Sequence, residues 1–126
     1  MKSNRRFRII FIGVFFSVYL AGPAGSAFSA SAKDNYRTYC AQCHGLAGNG
    51  RGINIRDMSV QPRNHTDATY MSTRSDNDLF TADQKGGLSI DKSVLMPPWG
   101  DTLSPAEIQD MVKYLRTLCH CQNNGQ

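Results

Sequence analysis

Two cysteines and a histidine lie within five residues of one another, in the sequence Cys40-Ala41-Gln42-Cys43-His44. On a helix, side chains three and four residues apart lie on one face, so both thiols and the imidazole can reach a common centre. A short chain that carries this unit has to fold around whatever the unit binds. Three kinds of site use a C-x-x-C pair: a dithiol redox site, a structural zinc site and covalent attachment of haem c.

The remaining sequence favours haem attachment. A dithiol site of the thioredoxin type belongs beside a βαβ pattern, and no alternating strand pattern of any length is present. A zinc site needs a second ligand pair, for which only Cys119-His120-Cys121 is available, so zinc is the weaker alternative. In haem c, two thiols add across the porphyrin vinyl groups and the following imidazole ligates the iron. The motif therefore predicts one covalent haem c, with thioethers at Cys40 and Cys43 and His44 as the proximal ligand.

The first 32 residues have the three parts of a secretory signal peptide. A basic start is followed by an apolar run over residues 9–20 and then by small residues. Ala30-Ser31-Ala32 predicts cleavage after Ala32, and Ala27 is the second choice. An uncleaved membrane anchor is the alternative, although the apolar run is shorter than the roughly 20 residues of a spanning helix. We therefore expect an exported, periplasmic protein whose residues 33–126 form one domain.

Removal of this segment also removes the excess positive charge. The whole chain has 14 basic and 10 acidic residues, and four of the basic ones lie in residues 1–32. The predicted mature chain has 14 − 4 = 10 basic and 10 acidic residues, so its net charge is zero. It contains no basic run. These features give no reason to expect a nucleic-acid partner or a strong steering field.

The pattern of caps and breakers predicts an all-α fold of three to five short helices. Asp34 is the predicted cap of a first helix that ends near His44, where four glycines follow within residues 45–52. The sequence of residues 53–71 has no clean period and predicts irregular chain with one helical turn near 66–71. Two further helices begin with capping boxes, Ser75 with Asp78 and Ser104 with Glu107. The first of them ends at Gly86-Gly87 and the second carries an apolar stripe to Leu118.

Three segments together resemble a known family. "CAQCHG", "LMPPWG" and "SPAEIQDMVKYLRTL" follow one another in the order found in small monohaem cytochromes c of class I. The resemblance covers about residues 35–118. It implies the cytochrome c fold, in which the first and last helices cross beside the haem. Tyr36 would then face Met111 and Tyr114 in that crossing.

The resemblance also implies a sixth iron ligand. In the family a methionine lies in a loop shortly before the last helix, and Met96 occupies that place before Pro97-Pro98. His65 is an alternative ligand and Met71 a weaker one, whereas Met111 falls on the apolar stripe of the last helix. Axial His and Met ligands leave no open position on the iron, which favours electron transfer over catalysis.

Other residues carry weaker expectations. Pro62 is predicted to offer its carbonyl to His44, as a proline does in the family. Trp99 is predicted to pack at the haem edge, with its indole N–H near a propionate, and Tyr70 and Arg63 are candidates for the same region. Cys119 and Cys121 can form a disulfide, link two subunits or contact a metal, and the sequence leaves these alternatives open.

Three functions are compatible with these features. The first is a periplasmic one-electron carrier between redox protein partners, which is not itself an enzyme. The second is a haem-bearing electron-entry subunit of a larger periplasmic oxidoreductase. The third, from a different class, is a gas-binding or sensor haem protein, and it requires Met96 to be displaceable.

Overall fold

The computed structural model describes residues 29–123, and within them the chain is helical with no strand. The all-α prediction is confirmed. The predicted leader lies outside the described residues except for residues 29–32, and so do residues 124–126. None of the helices in residues 29–123 is long and apolar enough to span a bilayer.

The N-terminal helix is continuous but changes its winding twice. It is α-helical at Ala32–Asn35, π-helical at Tyr36–Cys40 and α-helical again at Ala41–His44. The π turn is closed by the Ala41 N–H, which donates to the Tyr36 carbonyl five residues back. Such wide turns are frequent at functional sites. This one ends at Cys40, the first residue of the C-x-x-C-H unit, and was not predicted from the sequence.

The N-terminal cap is Ser31, so the prediction of Asp34 was wrong. The Asp34 N–H donates to the Ser31 hydroxyl at 3.2 Å, and Asp34 itself lies inside the first turn. A carboxylate in that turn is favourable because the helix dipole is positive there. The predicted end is confirmed, since Gly45 follows His44 with φ of +81°. Only glycine adopts that conformation without strain.

The N-terminal helix crosses the C-terminal helix, Pro105–Cys119. Tyr36 is fully buried in this crossing, and its ring meets Tyr114 edge-on at 5.3 Å between centroids. Met111 belongs to the same core cluster, as expected. The other buried members are Ala41, Met71, Leu115 and Cys119. The crossing therefore supplies most of the apolar core.

Between the crossing helices lie Ile53–Asp57, Ala68–Met71, Asp76–Lys85 and Gly87–Ile90. The first and last of these are 3₁₀ turns, which the sequence did not predict because they are too short to show a period. Both predicted capping boxes are present, with Ser75–Asp78 and Ser104–Glu107 each bonded reciprocally. The helix Asp76–Lys85 packs against both the C-terminal helix and the 3₁₀ turn that follows it.

The C-terminal helix ends in a disulfide between Cys119 and Cys121. Cys119 is buried, and the intervening His120 has a left-handed conformation with φ of +50°. The intramolecular disulfide is therefore the alternative that the structure supports. A bonded pair of thiols cannot supply the second half of a zinc site.

Arg116 ties this helix to the segment before Asp76–Lys85. Its side chain is buried and donates to the carbonyls of Met71 at 2.7 Å and Arg74 at 2.6 Å. It also donates twice to the carboxylate of Asp76, at 2.7 and 2.8 Å. The planar fork of a guanidinium can meet all of these acceptors together, which a lysine ammonium cannot.

We expect Arg116→Met to lower the free energy of unfolding by about 2–3 kcal/mol, because it leaves buried carbonyls without their charged donor. Urea titration of the purified protein measures this loss. Lys113→Met is the matched control on the same helix, since Lys113 forms an exposed ion pair with Asp110 at 2.8 Å. Such a pair contributes about 0.5 kcal/mol. Equal losses in the two variants would contradict the anchoring role of Arg116.

Candidate functional site

A cavity of about 550 Å³ opens between the N-terminal helix, the loop that follows it and the segment before the C-terminal helix. All of the residues that the sequence singled out for the site line this cavity: Cys40, Cys43, His44, Pro62, Met96 and Trp99. Its volume falls within the range of cofactor sites. The fold thus brings residues that are far apart in the sequence to one concave surface.

Cys40 and Cys43 have free thiols in this cavity, in contrast to the bonded pair at the C-terminus. Burial raises the pKa of Cys40 to about 12, and the nearby Asp83 and Cys43 add to the effect. The Cys40 thiol is therefore neutral at pH 7, unlike the thiolate nucleophile of a redox dithiol. Within residues 29–123 no group of three or more His, Cys, Asp or Glu is arranged to hold a metal ion.

The His44 imidazole is fixed by a backbone carbonyl. Its Nδ1 lies 2.9 Å from the carbonyl oxygen of Arg63, so the predicted partner, Pro62, was wrong by one residue. The Pro62 carbonyl turns instead toward Gly50, where an added Cβ would lie 2.9 Å from it. Burial lowers the pKa of His44, against the opposing effect of its bond to Arg63. A neutral ring that donates through Nδ1 leaves the Nε2 lone pair free for a metal.

The loop after the helix folds back against the same residue. The Gly50 N–H donates to the His44 carbonyl at 2.8 Å, and the Gly52 N–H donates to the Cys43 carbonyl at 3.0 Å. A Cβ at Gly52 would overlap the carbonyl of Gln42, so only glycine allows this approach. The glycine-rich loop predicted from the sequence is therefore a close-packed cap on the C-x-x-C-H unit.

His65 lies beside His44 and not across the cavity from it. The two rings stack with centroids 4.1 Å apart and an angle of 17° between their planes. The Nδ1 of His65 is 3.1 Å from the hydroxyl of Tyr36. A sixth ligand has to approach the iron from the face opposite His44, so the alternative assignment of His65 does not fit this geometry. The stacking of His65 on His44 could not be predicted from the sequence.

Four methionines line the cavity: Met58, Met71, Met96 and Met111. Met71 and Met111 are 1% exposed and belong to the packed core, whereas Met58 and Met96 are half-buried. The carbonyl of Met96 accepts from the Gly87 N–H at 3.0 Å, which ties its loop to the end of the helix Asp76–Lys85. The predicted role of Met96 as the distal ligand remains a prediction.

Basic and aromatic side chains line another part of the cavity. The guanidinium groups of Arg63 and Arg74 lie 3.8 and 4.8 Å from the ring centroid of Tyr70. The buried Nε of Arg74 has no hydrogen-bond partner. Trp99 lies at the cavity wall, with its ring 5.1 Å from that of Tyr39. Arg74 was not anticipated from the sequence. Its unsatisfied donor suits an acidic group of a bound molecule.

These features fit a haem c. Two free thiols, an imidazole with a free Nε2 and the half-buried thioethers of Met58 and Met96 share one cavity with an arginine donor that lacks an acceptor. Cys40, Cys43 and His44 would hold the group, and Met96 would cover its other face. When bound, such a group supplies one-electron chemistry. The protein supplies burial, orientation and the electrostatic environment.

Comparison with known proteins gives the same assignment. A family model described as cytochrome c oxidase, cbb3-type, subunit III matches residues 28–115. Comparison with curated proteins found none that matches. A solved structure of the c-type cytochrome KustC0563 is 23% identical over 71% of this chain and 98% of its own, with a TM-score of 0.56.

A second solved structure is the Kuenenia stuttgartiensis reducing HAO-like protein complex Kustc0457/Kustc0458. The match has 27% identity and a TM-score of 0.54, and it covers 71% of this chain but 42% of the other. The expected fold is therefore confirmed. With the family model spanning more than half of its length, this chain belongs to the family of c-type cytochrome domains described as subunit III of the cbb3-type cytochrome c oxidase.

Proposed function

We propose that this protein is a periplasmic one-electron carrier with a single covalent haem c. The observation that carries the proposal is the arrangement of Cys40, Cys43 and His44 on one cavity wall, with Nδ1 of His44 bonded to the Arg63 carbonyl. In this arrangement the thiols form thioethers and the free Nε2 ligates the iron. Met96, in the loop before the C-terminal helix, would supply the second iron ligand.

The protein's residues favour electron transfer over bond-forming catalysis. Axial His and Met ligands raise the haem potential relative to two histidines and leave no open coordination position. The Arg63 carbonyl holds the tautomer and orientation of His44, and the stacked His65 restricts its rotation. Arg63 and Arg74 would neutralise the acidic substituents of the haem. In this proposal the protein transfers electrons and is not itself an enzyme.

Export is part of the proposal. The basic, apolar and small-residue segments of the leader support it. Ser31 caps the N-terminal helix and Ser29 donates to Glu107 at 3.1 Å. Cleavage after Ala27 would leave both serines in the mature chain, whereas cleavage after Ala32 would remove them. The helix cap therefore favours cleavage after Ala27.

Mass spectrometry of the exported protein should show the mass of the mature chain plus one haem. Replacing both Cys40 and Cys43 by serine should abolish this added mass, because no thioether can form. The double variant Cys119→Ser, Cys121→Ser is the matched control, since its thiols belong to the disulfide, and it should keep the haem. A wild-type protein without added mass would refute the proposed cofactor.

Ligation by Met96 predicts a far-red absorption band of the oxidised protein that depends on its thioether. Met96→Ala should lose this band and bind carbon monoxide rapidly in the reduced form, because one coordination position becomes open. Met58→Ala is the matched control, since Met58 also lines the cavity and is half-buried. If Met58→Ala loses the band and Met96→Ala keeps it, the assignment of the distal ligand is wrong. Rapid carbon monoxide binding by the wild-type protein would favour the gas-binding alternative.

A second candidate function is supported by the similarity to a chain of a reducing HAO-like protein complex. The protein would then pass electrons as a subunit of a larger periplasmic oxidoreductase. Size-exclusion chromatography of native extract separates the two proposals. A single haem-stained peak near the mature mass is expected for the carrier. Elution of all haem-stained protein with a catalytic partner at high mass would favour the subunit.

A further inference from the structure

Asp83 is a buried carboxylic acid on the cavity wall. It lies on the helix Asp76–Lys85, is 8% exposed and lines the cavity that also holds Cys40. Its Oδ2 has no hydrogen-bond partner. Its backbone carbonyl accepts the Trp99 N–H at 2.9 Å, which fixes this part of the helix against the cavity. A buried acid without a donor is costly in its ionised form, so its place here needs an explanation.

The elements around Asp83 offer no cation that compensates its charge. Burial is the only cause that shifts its pKa, and it raises the pKa to about 7. Burial is the main cause of the raised pKa values of Cys40 and Tyr36 on the N-terminal helix, and the charge of Asp83 adds to both. Asp83 therefore lies at the end of the cavity where Cys40 would hold the haem.

Several other titratable or charged groups surround the site. Arg116 on the C-terminal helix is already bonded to Asp76. Burial and the neighbouring His44 and Arg63 lower the pKa of His65 well below its usual value. The remaining groups on the cavity and on the elements packed against the helix Asp76–Lys85 are Tyr39, Cys43, Tyr70, Arg74, Asp78, Lys85, Asp91, Lys92, Asp101, Glu107, Asp110, Lys113 and Tyr114. Most of these are exposed or already paired.

We propose that Asp83 is a proton-binding site coupled to the redox change of the haem, an inference that rests on the proposed function. As a donor protein delivers one electron and Fe(III) becomes Fe(II), the Asp83 carboxylate takes up one proton from solvent. Oxidation by the acceptor releases the electron and the proton together. The net reaction is Fe(III) with COO⁻, one electron and one proton, giving Fe(II) with COOH.

The sign of the coupling between reduction of the haem and proton binding by Asp83 follows from electrostatics. The oxidised centre carries one more positive charge, which stabilises the Asp83 carboxylate and lowers its pKa. Reduction removes that charge, so the pKa rises and the carboxylate binds a proton. At alkaline pH Asp83 is ionised in both states and holds the potential low. At acidic pH it is neutral in both states and the potential is higher.

The midpoint potential of the wild-type protein should therefore fall as the pH rises through a window near neutrality. One proton per electron corresponds to a slope of about 59 mV per pH unit, the value for a tenfold change in a one-electron equilibrium. In Asp83→Asn the slope within this window should fall to less than half. The potential of the variant should match the acidic limit of the wild type and exceed the wild-type value at alkaline pH.

Asp91→Asn is the matched control. Asp91 is exposed, follows the same helical region and has a φ of +56°, a conformation that asparagine tolerates. The Asp91→Asn variant should keep the wild-type slope of midpoint potential against pH. If Asp83→Asn also keeps it, a haem propionate or another group is the proton acceptor and the proposal is wrong. A flat wild-type profile in haem-loaded protein also refutes it.

A measurement on the wild type does not depend on the folding of a variant. Redox difference infrared spectra should show a carboxylic C=O band that appears on reduction and shifts in D₂O, while a carboxylate band loses intensity. Absence of these bands in haem-loaded protein would overturn the proposal. A preparation that carries no haem would instead refute the proposed function, so the two failures are distinguishable.

Discussion

The hydrogen bond between His44 Nδ1 and the Arg63 carbonyl is the constraint on which the site depends. It connects the end of the first helix to chain 19 residues further on, and everything between has to fold so that the two meet. Glycines at 50 and 52 allow the loop to return against the His44 and Cys43 carbonyls. His65 then stacks on the imidazole and bonds to Tyr36. The helix crossing and the proximal side of the site thus share one set of contacts.

The secondary structure could be predicted where the signal was local. Capping boxes at Ser75 and Ser104, the glycine after His44 and the apolar stripe of the last helix each depend on residues within one or two turns. The π turn could not be predicted, because no local pattern marks it, and Tyr36 and Cys40 at its ends pack against residues that are distant along the chain. Ser31 was missed as a cap because it belonged to the segment assigned to the leader.

At the functional site too, residues adjacent in the sequence could be predicted, whereas roles that depend on distant residues could not. Cys40, Cys43 and His44 are adjacent in the sequence, so the motif identified them directly. The partner of His44 was displaced from Pro62 to Arg63 because the direction of a carbonyl depends on the turn that carries it. His65 and Asp83 gave no pattern, since each acquires its role from groups that are distant along the chain. A lone histidine or aspartate carries no such information by itself.

The segment that bears Met96 is held to the rest of the protein both before and after the methionine, and the Lys92 N–H donates to the Gly87 carbonyl at 2.8 Å. A Cβ at Gly86 would lie 2.8 Å from the Met96 carbonyl, and the N–H groups of Trp99 and Gly100 donate to carbonyls of the helix Asp76–Lys85. The side chains of residues 91–95 are largely exposed, although the backbone of this stretch is held in place. During evolution, substitutions of these exposed side chains should therefore accumulate over 91–95, whereas insertions and deletions there should be rare, because a change of length would displace Met96.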